Sequence, residues 1–213
     1  MRNFKILAIV FCLTAVSVAA AEPPANSEVA LDDSFDRTEL GKEWNSTTGD
    51  WKIVDGVLRG SEKPAEKHSA ATRRVVETKN AVYELKFRFT KTAKAFHFGF
   101  DPAKGELEKK GHLFSVIVTP TSWKVLKHVD KNRRTEDPNE TLAEQKTEFN
   151  RDEWYTLRVT TWGKYVTARI EGKKVLKASH STFAVKKPTL VFRVLGDGVE
   201  IDDIHVWKQK ETK

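Results

Sequence analysis

Between Ala81 and Phe100 the chain alternates so strictly that only an extended backbone accommodates it. Tyr83, Leu85, Phe87 and Phe89 fall on one parity, and Glu84, Lys86 and Arg88 on the other. After a short polar gap, Phe96, Phe98 and Phe100 resume the apolar parity, with His97 and Gly99 between them. Successive side chains of a strand point to opposite faces, so each segment buries an aromatic row and turns a polar row outward. A helix would scatter both rows around its circumference. Two aromatic rows of this size must be covered by a second apolar layer.

The rest of the chain supplies that layer in the same idiom. Val166, Ala168 and Ile170 alternate with Tyr165, Thr167 and Arg169, and residues 153–176 read as three strands punctuated by Gly163 and by Glu171-Gly172. Asp55-Gly56 stands between Trp51–Val54 and Val57–Arg59, the signature of a tight hairpin whose central residues both take positive φ. Thr72–Val76 reads as a strand. Leu113–Thr119 and Trp123–Val129 flank a Pro120-Thr121-Ser122 turn, and Leu190–Leu195 and Val199–Trp207 flank Gly196-Asp197-Gly198. Thr141–Phe149 is assigned to a strand from its place in this series. With about a dozen short strands, turn chemistry between them and no amphipathic helix, the pattern is an all-β sandwich of two antiparallel sheets. No fixed-period repeat points to a propeller.

The first residues have a different character. Met1-Arg2-Asn3-Phe4-Lys5 precedes an apolar run from Ile6 to Val18 and then Ala19-Ala20-Ala21. A basic start, a short apolar stretch and small residues describe a secretory signal peptide over residues 1–21, cleaved near Ala21, and the run is too short to span a bilayer. No second apolar run of membrane length follows. Cleavage removes Cys12, the only cysteine, so an exported chain would hold together without disulfides. The net charge of +7 is spread rather than clustered. Arg73-Arg74, Lys109-Lys110 and Arg133-Arg134 are short and lack interleaved aromatics, which argues against nucleic acid as a partner. The expected organisation is a leader at 1–21, a flexible lead at 22–30, the sandwich at 31–208 and a polar tail at 209–213.

Four segments together resemble one family. "DDSFDRTELGKEWNSTTGDWKIVDGVLRG" at 32–60, "AVYELKFRF" at 81–89, "EWYTLRVTTWGKYVTARIEGKKVL" at 153–176 and "GVEIDDIHVW" at 198–207 are similar in order and spacing to the 3-keto-disaccharide hydrolase-like domains. The resemblance covers 31–207. It implies a concanavalin A-like jelly-roll, export, and a carbohydrate partner held on a concave sheet. It does not bring a catalytic pair with it. Where better-supported hydrolases of the family carry an acid in a strand, this chain has His112-Leu113-Phe114-Ser115-Val116-Ile117-Val118. Glycoside hydrolase family 16 enzymes of the same fold use Glu-x-Asp-x-Glu on one strand, and only Glu106-Leu107-Glu108 approaches that here. Catalytic residues are therefore left unassigned. A sugar-cleaving enzyme, a non-catalytic binding module and a cell-envelope interaction protein all remain open.

Candidate sugar-binding groups are Glu84, Lys86 and Arg88 on the polar row, and His97 on the next strand, where an imidazole moves protons near neutral pH. Arg158 joins them, with Arg73, His112 and Arg193 behind. Aromatic faces stack on pyranose rings. Trp123, after its turn, and Trp162, before Gly163, are the exposed candidates, while Trp44, Trp51, Trp154 and Trp207 read as core. Asp33 and Asp36 near the start and Asp202 near the end would meet if the terminal strands pair, and with Asp32 and Asp203 they suggest a structural calcium. No other cofactor is expected, and the histidines lack zinc spacing.

Overall fold

A computed structural model describes residues 22–210, so the leader expected at 1–21 lies outside the described residues. Among the described residues fifteen strands form two antiparallel sheets, and the only helical elements are two 3-10 turns, Pro64–Glu66 and Ser181–Ala184. One sheet contains β1 (Ser27–Asp33), β3 (Asp50–Val54), β4 (Val57–Ser61), β6 (Ala81–Phe89), β11 (Tyr155–Trp162), β12 (Tyr165–Ile170), β13 (Leu176–Ser179) and β15 (Asp197–Gln209). Its order is β13-β12-β11-β6-β15-β4-β3, with β1 also paired to β15. The other contains β2 (Trp44–Thr48), β5 (Ala70–Thr78), β7 (Ala95–Phe100), β8 (Phe114–Thr119), β9 (Ser122–Lys127), β10 (Glu140–Lys146) and β14 (Lys187–Leu195), in the order β10-β9-β8-β7-β14-β5-β2. The expected jelly-roll sandwich is what forms. No helix among the described residues is long and apolar enough to cross a membrane.

The aromatic rows meet between the sheets. Tyr83, Leu85, Phe87 and Phe89 of β6 face Phe96, Phe98 and Phe100 of β7, all buried. Tyr83 lies 4.8 Å from Phe100 and Phe87 5.5 Å from Phe96 between ring centroids, in the tilted arrangements that aromatic pairs favour. Phe192 of β14 extends the seam to Phe98 and Trp44. The Tyr83 hydroxyl keeps a partner in this dry layer, 2.7 Å from Thr78 Oγ1.

Local signals set the register. Val54 pairs with Val57 across Asp55 (φ 53°) and Gly56 (φ 76°), the double positive φ expected of the turn. A bulge between Asp202 and His205 lets β15 keep Ile201 and Ile204 inward and Asp202 and His205 outward. Strand β1 begins at Ser27, so Ser27, Glu28 and Val29, within the flexible lead expected at 22–30, pair with β15. The bond from Trp44 Nε1 to Asp33 and the Glu28–Lys208 ion pair tie this terminal strand down. Strand β15 likewise runs to Gln209, past the expected end of the domain at 208.

Phe87 packs against Phe89, Phe96, Phe149 and Tyr155, so Phe87→Ala should lower the unfolding free energy by about 3–5 kcal/mol in chemical denaturation. Gly56→Ala, strained only at one exposed turn, should lose about 1 kcal/mol. An unchanged denaturation midpoint for Phe87→Ala would show that the two sheets do not pack through this row.

Candidate functional site

The sandwich turns two polar faces outward, and they differ in kind. On the eight-stranded sheet the row Glu84, Lys86, Arg88 is bound to its neighbours. Glu84 accepts a 2.6 Å hydrogen bond from Arg158 Nη1, and Lys86 pairs with Asp203 at 2.6 Å. Arg88 and Arg59 both grip Glu200, whose side chain is 1% exposed. Burial acts to raise the Glu200 carboxyl, but the two guanidinium groups outweigh it and hold it below the usual range. Trp154 covers Arg88 at 4.7 Å, and Trp207 lies 5.5 Å from Arg158. Glu84, Lys86, Arg88 and Arg158 are thus brought together, but as a closed lattice of opposite charges.

His97 is not with them. It lies on β7, on the outer face of the seven-stranded sheet, with the whole aromatic layer in between. Two rungs cross that sheet: Lys124, Ile117, His97, Arg193, Ala71 and, beside it, Leu126, Ser115, Gly99, Val191, Arg73. At their edge Asp101, one step beyond β7, gathers three partners. Arg73 Nε donates at 2.9 Å and His112 Nδ1 lies at 2.5 Å, while the Thr189 hydroxyl reaches 3.5 Å. The His112 ring meets His128 edge-on at 5.3 Å, and His128 Nε2 lies 2.8 Å from the Ser115 hydroxyl. Arg193 donates twice to Ser69 Oγ. Gly99 leaves room for this, since a Cβ there would stand 2.4 Å from Ser115 Oγ.

The electrostatics are one-sided. Burial would raise the Asp101 carboxyl, yet its bonds and charge contacts with His112 and Arg73 hold it below the usual range. Burial, reinforced by Arg193, His112 and Lys124, pushes His97 down to about 3. Burial, reinforced by the neighbouring His112, His97, Arg193 and Lys109, does the same to His128. Both imidazoles are therefore neutral at physiological pH. His97 Nδ1 is buried without a hydrogen-bond partner among the described residues. Asp101 on its Nδ1 orients the His112 ring with Nε2 turned away from the carboxylate, the geometry a general base requires.

Of the remaining expectations, Trp162 is 56% exposed at the tip of β11, whereas Trp123 is fully buried, its indole donating to Gln145 Oε1 at 2.9 Å. Inward parity on β9 makes Trp123 a core residue. Asp33 is occupied by Arg37, Trp44 and the Phe35 amide, Asp36 by Ser34, and Asp202 by the Asp203 amide. Among the described residues no group of three or more His, Cys, Asp or Glu is placed to hold a metal ion. Sequence reasoning missed Asp101, Ser115, His128 and Ser69. Asp101 had a signal, since it shares the parity of His97 and Gly99 immediately past the aromatic row. The others lie at strand ends or outside regular alternation.

Solved structures with this fold include the carbohydrate-binding module CBM66 from Bacillus subtilis, at TM-score 0.60 and 15% identity over 78% of this chain and 96% of that one. A non-specific endo-beta-1,3(4)-glucanase of family GH16 matches at TM-score 0.66 and 9% identity over 89% and 94%. A putative glycosyl hydrolase from Parabacteroides distasonis matches at TM-score 0.53 and 14% identity over 83% and 92%. At these identities the likeness is one of fold. No curated protein sequence matches the chain. The family model that does match, described as the 3-keto-alpha-glucoside-1,2-lyase-like domain, spans residues 31–206, and the chain belongs to that family.

Proposed function

We propose that this protein cleaves a 3-keto sugar by elimination on the outer face of the seven-stranded sheet, with His112 as the base. The observation that carries this reading is the Asp101–His112 pair, a carboxylate fixing one imidazole nitrogen and leaving the other free, beside Arg73 and Arg193. The ketone at C3 acidifies the proton at C2. His112 removes that proton, and the electron pair becomes an enolate whose oxygen is stabilised by the guanidinium groups. The enolate collapses, a C1–C2 double bond forms, the C1–O bond breaks, and the departing alcohol takes up a proton. Hydrolysis of an ordinary glycoside would need two carboxyl groups flanking the bond. Elimination needs one oriented base, and Asp101 is the sole acid in the network described above.

A non-catalytic sugar-binding role is the competing reading, supported by binding modules among the structures of similar fold. His112→Asn separates the two. With 4-nitrophenyl 3-keto-α-glucoside as substrate, it should lower kcat by about 10²–10⁴ while the melting temperature stays near that of the parent. Asp101→Asn should lower kcat and displace the pH profile. Parent-like turnover by both variants would overturn the assignment. Binding of the keto sugar without any turnover by the parent chain would favour the binding module.

The two neutral imidazoles also predict a pH dependence. Above about pH 6.5 His97 and His128 are neutral in both folded and unfolded chains, and their contribution to stability is fully present. Below that the unfolded chain takes protons the folded one refuses, so stability should fall steadily from pH 6.5 toward about 3. The depressed Asp101 carboxyl adds to the loss only below about pH 4. Urea denaturation at successive pH values measures this; a flat profile from pH 6.5 to 4 would contradict the buried neutral state. Export is part of the same proposal. N-terminal sequencing of the secreted chain should begin within a few residues of Glu22, and a cytosolic protein retaining residues 1–21 would rule it out.

A further inference from the structure

A cleft opens where the end of β5, the β5–β6 turn, the tip of β11 and the outer ends of β1 and β15 converge. It shares no residue with the Asp101–His112 face. Trp162 stands on its wall, 56% exposed, directly across the hairpin from Tyr165, which is equally exposed. The hairpin that carries them is tied to the rest of the sheet. Gly163 turns the tip with φ 53°, and its N–H donates to Asn80 Oδ1 at 2.8 Å, pinning the hairpin to the β5–β6 turn. A large aromatic kept in solvent on a fixed hairpin is a stacking surface already ordered before anything binds.

The charge around it is positive. Lys186 pairs with Glu77 at 3.5 Å and Lys208 with Glu28 at 3.0 Å, which leaves Lys79 and Lys210 in the cleft without an acidic partner among the described residues. A further ammonium lies beneath the turn. Lys187 is fully buried, its Nζ donating to the carbonyls of Lys79 and Val185, with no carboxylate in salt-bridge reach among the described residues. Burial lowers it to about 8, so it still carries mostly positive charge at neutral pH. A flat aromatic face with lysines beside it matches a ring that is apolar on one side and bears an anion at its edge.

We propose that this cleft is a second saccharide site, for sugars carrying a carboxylate or a sulfate. Trp162 takes the apolar face of the ring, and Lys79 and Lys210 take the anion. The site does not depend on the elimination chemistry and would serve to hold the protein on an acidic glycan.

Isothermal titration of the 22–213 chain with oligogalacturonate, dextran sulfate and neutral dextran tests the proposal. Binding of at least one anionic polymer, weakening with added salt, and none of neutral dextran is expected. Trp162→Ala should weaken that binding at least tenfold. It removes an exposed ring and opens no cavity, so its melting temperature should match the parent's. Lys79→Gln with Lys210→Gln should weaken binding and flatten its salt dependence, and His112→Asn should leave it unchanged. Failure to bind either anionic polymer, or equal binding of neutral dextran, would overturn the proposal. So would Trp162→Ala binding like the parent, which would mean charge adsorption alone, or loss of binding in His112→Asn, which would move the ligand to the other face. Trp162-dependent co-sedimentation with phosphatidylserine vesicles, in the absence of saccharide binding, would assign the cleft to a membrane surface and overturn it equally.

Discussion

The register of β7 is the constraint on which the rest of this structure depends. Phe96, Phe98 and Phe100 fill the seam between the sheets, and the same alternation that puts them there sends His97 and Gly99 outward. A slip of one residue would drive an imidazole into the core and three phenyl rings into water. Core and candidate site are therefore fixed by one decision. The burial of aromatic area that stabilises the sandwich also places His97 opposite Arg193 and opens the space at Gly99 for the Ser115–His128 contact.

The two outer faces show how differently a sheet can dispose of polar residues. On the eight-stranded sheet Glu84, Glu200 and Asp203 each have a base beside them, and Arg88 serves chiefly to compensate the buried Glu200 carboxylate. Removing one partner there leaves a buried charge uncompensated, which is costly whatever the protein does. The seven-stranded sheet is unbalanced. One carboxylate, Asp101, binds one guanidinium, Arg73, and one imidazole, His112, and a buried nitrogen of His97 is left without a partner among the described residues. Arg74 Nε is the other buried side-chain nitrogen without a partner among the described residues, and at His97 a ligand on this face could complete the bonding.

Most of the fold was legible because alternation and turn chemistry are local. The rows of β6 and β7, the Asp55-Gly56 hairpin and the β11–β12 pair can be read from neighbours in sequence. The pairing of strands far apart cannot. Reading Glu84, Lys86, Arg88 and His97 as one groove assumed that consecutive strands share a sheet. In fact β6 and β7 lie in opposite sheets, and their polar rows point away from each other. Trp123 carried a similar ambiguity: a residue next to a turn is as often the first inward position of a strand as an exposed one. The Asp101–His112–His128 cluster joins three loop ends whose proximity is set by the β7–β8–β9 meander, and no spacing rule links them. The bulge in β15 was invisible for the same reason, since its effect is to preserve an alternation that the sequence itself breaks at Asp202-Asp203.

The sign of the field on the seven-stranded sheet bears on which chemistry it favours. Glycoside hydrolysis passes through an oxocarbenium-like state, which places positive charge on the sugar and is served by carboxylates. Elimination next to a ketone places negative charge on the substrate as an enolate. Around His97, burial is joined by the charges of Arg193 and Lys124, both of which oppose a further cation. A site whose own charges help keep two histidines unprotonated would resist an oxocarbenium for the same reason, and would welcome an enolate oxygen. The missing carboxylate pair and the surplus of cations are thus two aspects of one arrangement, and both support elimination over hydrolysis.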